Sequence, residues 1–192
     1  MKIISYVVKY DYGFAPNPYH GFLTLATCKP VIRSNAEIGD LIIGTGSVSG
    51  IGINKLIYAA IISEVVTTEE YSINPRFEVK KPKNTNAKTR RGDNIYYKIN
   101  NEWKQLENNF HGEYEFESDL SSERILICDD FWYFGNQAPL IPQEFLGIIK
   151  EKQGIKYTDD KVVVNNFIAW LKTFEQGELG SPSSLDNTFQ AA

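Results

Sequence analysis

The sequence is poor in the residues that most often carry chemistry. Of 192 residues, two are cysteine (Cys28 and Cys128), two are histidine (His20 and His111) and one is methionine. Two cysteines are too few for a disulfide framework, so both are expected as free thiols in a reducing, cytoplasmic setting. The two histidines and the two distant cysteines match no zinc-ligand spacing, and neither a metal site nor a cofactor is expected. No apolar run reaches the roughly 18 residues a membrane helix needs. The N-terminal K-I-I-S-Y-V-V-K is too short and too soon interrupted for a signal peptide. No glycine run ends in G-K-[ST], which removes a Walker A loop, and no G-x-S-x-G elbow is present. With 20 basic and 24 acidic side chains the net charge is −4. That argues against a uniformly basic nucleic-acid surface but leaves room for a local patch.

Aromatic side chains are plentiful: 11 Tyr, 11 Phe and 3 Trp. They suit a core or a pocket that stacks flat ligands. The length fits one domain with a substantial core. The chain is organised around residues 37–47, E-I-G-D-L-I-I-G-T-G-S. Gly39-Asp40 reads as a turn, 41–43 as a strand, and 44–47 as a glycine loop whose missing Cβ atoms let a ligand approach the backbone.

Residues 2–9 predict a strand covered on both faces. Residues 11–19 hold two prolines and a glycine, so Tyr12, Phe14 and Tyr19 are presented from a loop, to the core or to a ligand. A strand is expected over 21–27, a turn over 28–33, and a strand rather than a helix over the β-branched run 56–66. Thr67-Thr68-Glu69-Glu70 has capping-box spacing and opens a short helix that Pro75 ends. Seven basic residues face one acid, Glu78, across 76–91; within it 84–90 reads as a mobile loop, its charges as solvated surface or phosphate contacts. Strands follow at 93–98 and 102–106 across an Asn100-Asn101 hairpin turn, and at 124–128. Residues 107–119 read as acidic and irregular around His111. Pro142 sits at the first turn of a helix reaching Lys150, and Asp159 or Asn165 caps a last helix with Phe167, Ile168, Leu171 and Phe174 on one face, stopped by Gly177. The domain is set at 1–176, with 177–192 as a flexible tail.

T-G-S-V-S-G-I-G at 45–52 and Y-T-D-D-K at 157–161 match short patterns of dinucleotide-dependent dehydrogenases. Their context does not: two strands precede the loop, and a β-branched run follows it where a helix should start. If 56–66 pairs with 41–43 as a strand, that reading falls. His111 is a candidate general base beside Asp93 or Asp129, or a hydrogen-bonded surface histidine. The pair Asp129-Asp130 either holds a metal or merely turns the chain after a buried strand.

Five phrases, taken in order over residues 1–150, carry a family resemblance. They are D-Y-G-F-A-P-N-P at 11–18, C-K-P at 28–30 with Ile32-Arg33, Gly39-Asp40 with G-T-G-S at 44–47, G-D-N-I-Y at 92–96, and Phe131 with Y-F-G at 133–135. The set resembles a family of phage and bacterial proteins, nucleotide modification associated domain 2. That family is named for its company with DNA-base modification systems, so the resemblance implies a setting and not a reaction. The layout is also similar to PUA-like pseudo-barrels, EVE and YTH modules among them. There a G-D turn feeds a central strand, and a strand like I-Y-A-A-I-I-S-E-V leads to a short helix and an arginine-aromatic pair, here Arg76-Phe77. Such modules flip a modified base into an aromatic cage and hold neighbouring phosphates with basic residues.

These resemblances imply a single α+β domain, a mixed β pseudo-barrel (PUA-like) with short flanking helices. It would bind a nucleobase or nucleotide, foremost a modified one, free or within nucleic acid, in a phage or bacterial DNA-modification or defence setting. Tyr12, Phe14 and Trp132 or Tyr133 would stack the base, and Asn17, Asp93 and Asn94 would read its edge. Lys29, Arg33 and the 44–47 amides, with Thr45 and Ser47, would take phosphate. Two alternatives stand beside this one: an enzyme altering the base or nucleotide, with Asp93, His111 or Asp129 as acid or base, and a binder that sequesters a free nucleotide signal.

Overall fold

The computed structural model describes residues 1–184 of the 192. Its strands are β1 (Ile3–Val7), β2 (Leu23–Leu25), β3 (Leu41–Thr45), β4 (Leu56–Ile61), β5 (Glu64–Thr67), β6 (Tyr96–Ile99), β7 (Glu102–Gln105), β8 (Arg124–Cys128), β9 (Asp130–Tyr133), β10 (Ile155–Thr158) and β11 (Gly177–Glu178). The helices are α1 (Pro30–Asn35), α2 (Thr68–Ile73), α3 (Glu113–Leu120) and α4 (Lys161–Leu171). Together they form a mixed α+β fold: a six-stranded sheet β10-β1-β3-β4-β9-β11, a three-stranded sheet β2-β8-β5, and the β6-β7 hairpin.

The inner strands β1, β3, β4 and β9 of the six-stranded sheet are covered on both faces, which is why they read as nearly continuous apolar runs. Ile4, Tyr6, Ile42, Tyr58, Phe131 and Tyr133 pack with Leu23, Leu25 and Leu126 of the second sheet and with Ile32 of α1. Ile3, Ile43, Ala59, Trp132 and Phe134 pack with Phe167 and Leu171 of α4. β4 and β5 are one ribbon bent at Ile62-Ser63, and β8 and β9 one ribbon bent at Asp129. β4 therefore pairs with β9 in one sheet while β5 pairs with β8 in the other. Ser63 fastens the corner. Its amide and hydroxyl donate to the Ile127 carbonyl, and its Oγ accepts the Asp129 amide at 3.2 Å. Strands that switch sheets in this way make the corners of packed sheets. The large sheet keeps two separate edges, β10 and β11, so no barrel closes among the described residues.

Residues 56–66 are strand on both sides of the Ile62-Ser63 bend, and β4 runs antiparallel to β3 with Ala60 opposite Ile42. Turns fill 48–55, no helix opens at the glycine loop, and the dinucleotide reading fails there. The glycines expected to admit a ligand are filled from inside. A Cβ on Gly44 would collide with the Tyr58 ring and Val8, and one on Gly46 with the Gly52 carbonyl. Gly46→Ala should therefore cost about 1–3 kcal/mol by overpacking, seen as a lower urea midpoint at unchanged slope.

Asp40 ties the turn before β3 to the N-terminal strand. Its carboxylate accepts the Lys2 amide at 3.0 Å and the Glu37 amide at 3.1 Å, and pairs with the Lys2 ammonium at 3.0 Å. Burial alone would raise its pKa, but these bonds hold it below the usual carboxylate range. The folded value is depressed, so its stabilisation is complete above the unfolded pKa of about 4 and is lost as pH falls below it. Urea titrations at pH 5 and pH 3 should show a smaller stability loss for Asp40→Asn than for the parent.

α2 is capped as the spacing requires, Thr67 Oγ1 accepting the Glu70 amide at 3.0 Å. Elsewhere the structure differs from the sequence reading. Residues 28–33 lead into α1, and α3 occupies much of the stretch read as irregular. Pro142 precedes a 3₁₀ segment, Gln143–Ile148, and Asp160 rather than Asp159 or Asn165 caps α4 by accepting the Val162 and Val163 amides. α4 ends at Leu171, well short of Gly177. Part of the expected tail is built into the fold. β11 pairs with β9, and Ser183 and Ser184 clasp Asp11: their amides donate to its carboxylate and carbonyl, and Ser184 Oγ accepts its amide. Residues 185–192 lie outside the described residues. Both cysteines are free thiols, and no described helix is long and apolar enough to cross a membrane.

Candidate active site

Cys28 stands where the chain leaves β2 and enters α1. Cys28 and Lys29 both take left-handed backbone, φ 56° and 45°, at a cost of about 1–2 kcal/mol for each non-glycine residue. The surroundings impose it. The Cys28 amide donates to Asp119 Oδ1 at 2.7 Å, its carbonyl accepts Arg33 Nε at 2.9 Å, and Pro30 starts the helix directly behind. Consecutive strained residues held this firmly are typical of functional positions.

His111 is aimed by the loop before α3. Asn108 Oδ1 accepts the Phe110 and His111 amides at 2.9 and 2.8 Å, while Gln105 and Asn108 side chains donate to the His111 carbonyl. Its Nε2 lies 3.1 Å from Cys28 Sγ and its Nδ1 2.6 Å from Asp119 Oδ2. Asp119, buried on α3, also accepts the Tyr96 hydroxyl at 2.8 Å. Burial alone lowers the His111 pKa, but hydrogen bonds to Asp119 and Cys28, with their charges, outweigh it and push it up to about 10. A ring protonated on both nitrogens donates Nδ1–H to the carboxylate and Nε2–H to the sulfur.

The three donor atoms lie within 4.8 Å of one another, close enough to consider a shared metal ion. The ring argues otherwise: sulfur and carboxylate sit against different nitrogens of one imidazole, whereas a ligating histidine offers a metal a single nitrogen. The three side chains form one hydrogen-bonded line, sulfur to imidazole to carboxylate, with the geometry of a proton relay.

The relay opens into a pocket of about 250 Å³. Rings continue from it in contact: His111 edge-on to Phe14 at 4.9 Å, Phe14 stacked on Phe110 at 4.9 Å, Phe110 beside Tyr12 at 5.9 Å, and Tyr12 stacked on Tyr10 at 5.9 Å. Lys9 and Lys29 line the same pocket, with Lys29 Nζ 4.9 Å above the Tyr6 ring.

Of the residues singled out from sequence, Tyr12, Phe14, Lys29 and His111 meet here. The others lie outside this pocket, in contacts within the fold. Arg33 is fully buried, its guanidinium donating to the carbonyls of Cys28, Ser122, Arg124 and Asp119, so it ties together the segments that carry the relay. Asn17 clamps Lys80 and the Arg91 carbonyl. Asp93 accepts the Thr24 and Tyr71 hydroxyls, and Asn94 donates to the Tyr71 and Phe77 carbonyls. Trp132 and Tyr133 point to opposite faces of β9, one toward α4 and one bonded to Asp11 at 2.6 Å. Thr45 and Ser47 are buried at the end of β3, and Asp129 lies at the corner facing Arg76. Sequence reasoning left Cys28 without a chemical role and overlooked Asp119. The one local signal was a cysteine two residues before a helix-opening proline.

The family model of nucleotide modification associated domain 2 matches residues 1–189. The chain belongs to this family. The match takes in the aromatic loop and all three relay residues, so the site lies inside the nucleotide modification associated domain 2 itself. No curated protein and no solved structure matches the chain. The family gives a nucleotide-modification context and leaves the reaction open.

Proposed function

We propose that the protein is a thiolate enzyme of nucleotide modification that transfers or removes an acyl group carried on a nucleobase or nucleotide. One observation carries this reading: the His111 imidazole joins the Cys28 sulfur to Asp119 inside an aromatic-lined pocket. The Cys28 thiolate attacks the acyl carbon, and the tetrahedral adduct collapses to a thioester. His111 Nε2 gives its proton to the departing amine or alcohol. Water or a second amine, deprotonated by the same nitrogen, then attacks the thioester and restores the thiolate. Asp119 holds the ring and stays ionised opposite the imidazolium.

Acyl transfer is favoured over addition of sulfur to a pyrimidine ring because none of the described residues lining the pocket is a carboxylate. Ring addition needs an acid at ring atoms remote from the attacked carbon, whereas a single imidazole beside the sulfur suffices for acyl transfer. Recognition of the base is the first step of the same cycle. Phe14 is covered by Phe110 and His111, so the rings that line the pocket with exposed area for stacking are Tyr12, Phe110 and the more exposed Tyr10, and each stack is worth about 1–3 kcal/mol.

The test follows the thiol. Iodoacetamide at pH 6 should modify Cys28 and spare the buried Cys128. On incubation with N-acylated cytosine and adenine nucleotides, an acid quench and mass spectrometry should find an acyl mass on Cys28 that Cys28→Ala lacks. No acyl adduct, together with alkylation of Cys28 no faster than in the denatured chain, would sink the proposal.

A further inference from the structure

A second cleft, of about 360 Å³, is lined by Pro82, Lys83, Asn84, Arg90 and residues 107–109. It shares one short segment with the pocket. Asn108 lines the cleft and Phe110 the pocket, at most about 7 Å of chain apart. Residues 81–91 beside it hold five cations (Lys81, Lys83, Lys88, Arg90 and Arg91) and no acid. Among the described residues, three carboxylates stand near them: Glu78, 2.8 Å from Lys81 and 3.6 Å from Lys83; Glu178, 2.7 Å from Lys88; and Glu107 in the cleft. These pairs are largely exposed, hence weak and readily exchanged for phosphate. The segment itself is wholly basic, on a chain whose net charge is −4.

The basic segment is held in one shape, contrary to the mobile loop read from its composition. Asn86 Oδ1 accepts the Lys88 and Thr89 amides at 2.9 and 3.0 Å, and Thr89 Oγ1 donates to the Lys83 carbonyl at 2.9 Å. Arg91 Nε donates to the Tyr12 carbonyl at 2.6 Å, which fixes the basic segment to the pocket's aromatic wall. A pre-organised array of cations beside a base-sized pocket has little ordering left to do on binding.

We propose that the substrate base is presented on a single-stranded polynucleotide, its backbone following residues 81–91 while one base turns into the pocket. The proposal rests on the pocket being the nucleotide site argued above. A mononucleotide fills the pocket alone, whereas a strand also releases counterions along the basic segment.

Fluorescence anisotropy with a labelled 12-nucleotide single strand, and competition by a mononucleotide, separates the two. The strand should bind at least tenfold more tightly than the mononucleotide and weaken steeply with salt. The double variant Lys83→Gln, Lys88→Gln should lose tenfold or more of strand affinity and about 0.7 of the salt slope per lysine removed, with mononucleotide affinity unchanged within twofold. Equal affinity and salt slope for strand and mononucleotide, or strand binding untouched by the double variant, would overturn it. Cys28 alkylation measured on the same samples reports the thiolate reading separately: normal alkylation beside salt-insensitive strand binding overturns the strand proposal alone.

Discussion

With His111 replaced by glutamine, alkylation of Cys28 at pH 6.5 is expected to slow by about 10–100-fold. An ordinary thiol, ionising near 8.5, is only about 1% thiolate at that pH, and its greater intrinsic nucleophilicity recovers part of the loss. Glutamine keeps a polar side chain of similar reach but cannot hold the second proton that makes the imidazolium. Asp119→Asn should act in the same direction, because an amide no longer opposes the charge on Nδ1, 2.6 Å away. Asp119 also receives the Cys28 amide and the Tyr96 hydroxyl, so its melting curve belongs beside its alkylation rate. A folded Asp119→Asn protein that alkylates like the parent at pH 6.5, together with an unaffected His111→Gln, would remove the relay.

The largest effect on stability is expected from Lys80→Met. Lys80 is fully buried, and its ammonium donates to the carbonyls of Asn17, Tyr19 and Phe22 at 3.1, 2.7 and 2.8 Å and to Asn17 Oδ1 at 2.8 Å. Burial pulls its pKa down and the Asp93 charge acts against that. Four acceptors around one nitrogen is the surrounding of an ammonium, since a neutral amine would turn its lone pair on one of them. Methionine fills the volume but takes the donor from the Tyr19 and Phe22 carbonyls, since the Asn17 carbonyl still accepts the Thr24 amide, and it leaves Asp93 without a countercharge. Removing one partner of a buried pair typically costs about 3–5 kcal/mol, measurable by urea unfolding. Adding Asp93→Asn should recover part of the loss, because the second change removes the stranded charge. A single substitution costing less than about 1 kcal/mol would show that the pair carries no such role.

Lys80 also marks the limit of what the sequence discloses. It lies in a run of basic residues, and nothing in its neighbours separates the one cation that is buried from those that remain at the surface. By contrast, β1, β3 and β4 were legible because a strand covered on both faces must be apolar throughout. The β6-β7 turn was legible because Asn100 and Asn101, at φ 51° and 64°, are the residue type that tolerates such backbone. α3 escaped notice for a physical reason. It carries four acids among eight residues, leaves Tyr114 almost wholly exposed, and half-buries Phe116 and Leu120 against the β6-β7 region. Missing α3 hid Asp119, and with it the relay. Cys28 and His111 are 83 positions apart, a closeness created by topology and not by any local pattern. Trp132 and Tyr133 lie on β9 and fill two different cores: a run of aromatics is equally the signature of a central strand.

The clasp of Asp11 by Ser183 and Ser184 sets an order of events during synthesis. The two ends of that contact are 172 and 173 positions apart. At roughly 5–20 residues per second, the ribosome needs on the order of 10–35 s to deliver them. Cys28, His111 and Asp119 have all left the ribosome before that moment, whereas the loop bearing Tyr12 and Phe14 waits for Ser183 and Ser184 to latch it. In a nascent molecule the chemistry is therefore encoded early and the selectivity arrives late, and truncation near Ser183 should yield a protein with a reactive thiol and an unfastened pocket wall.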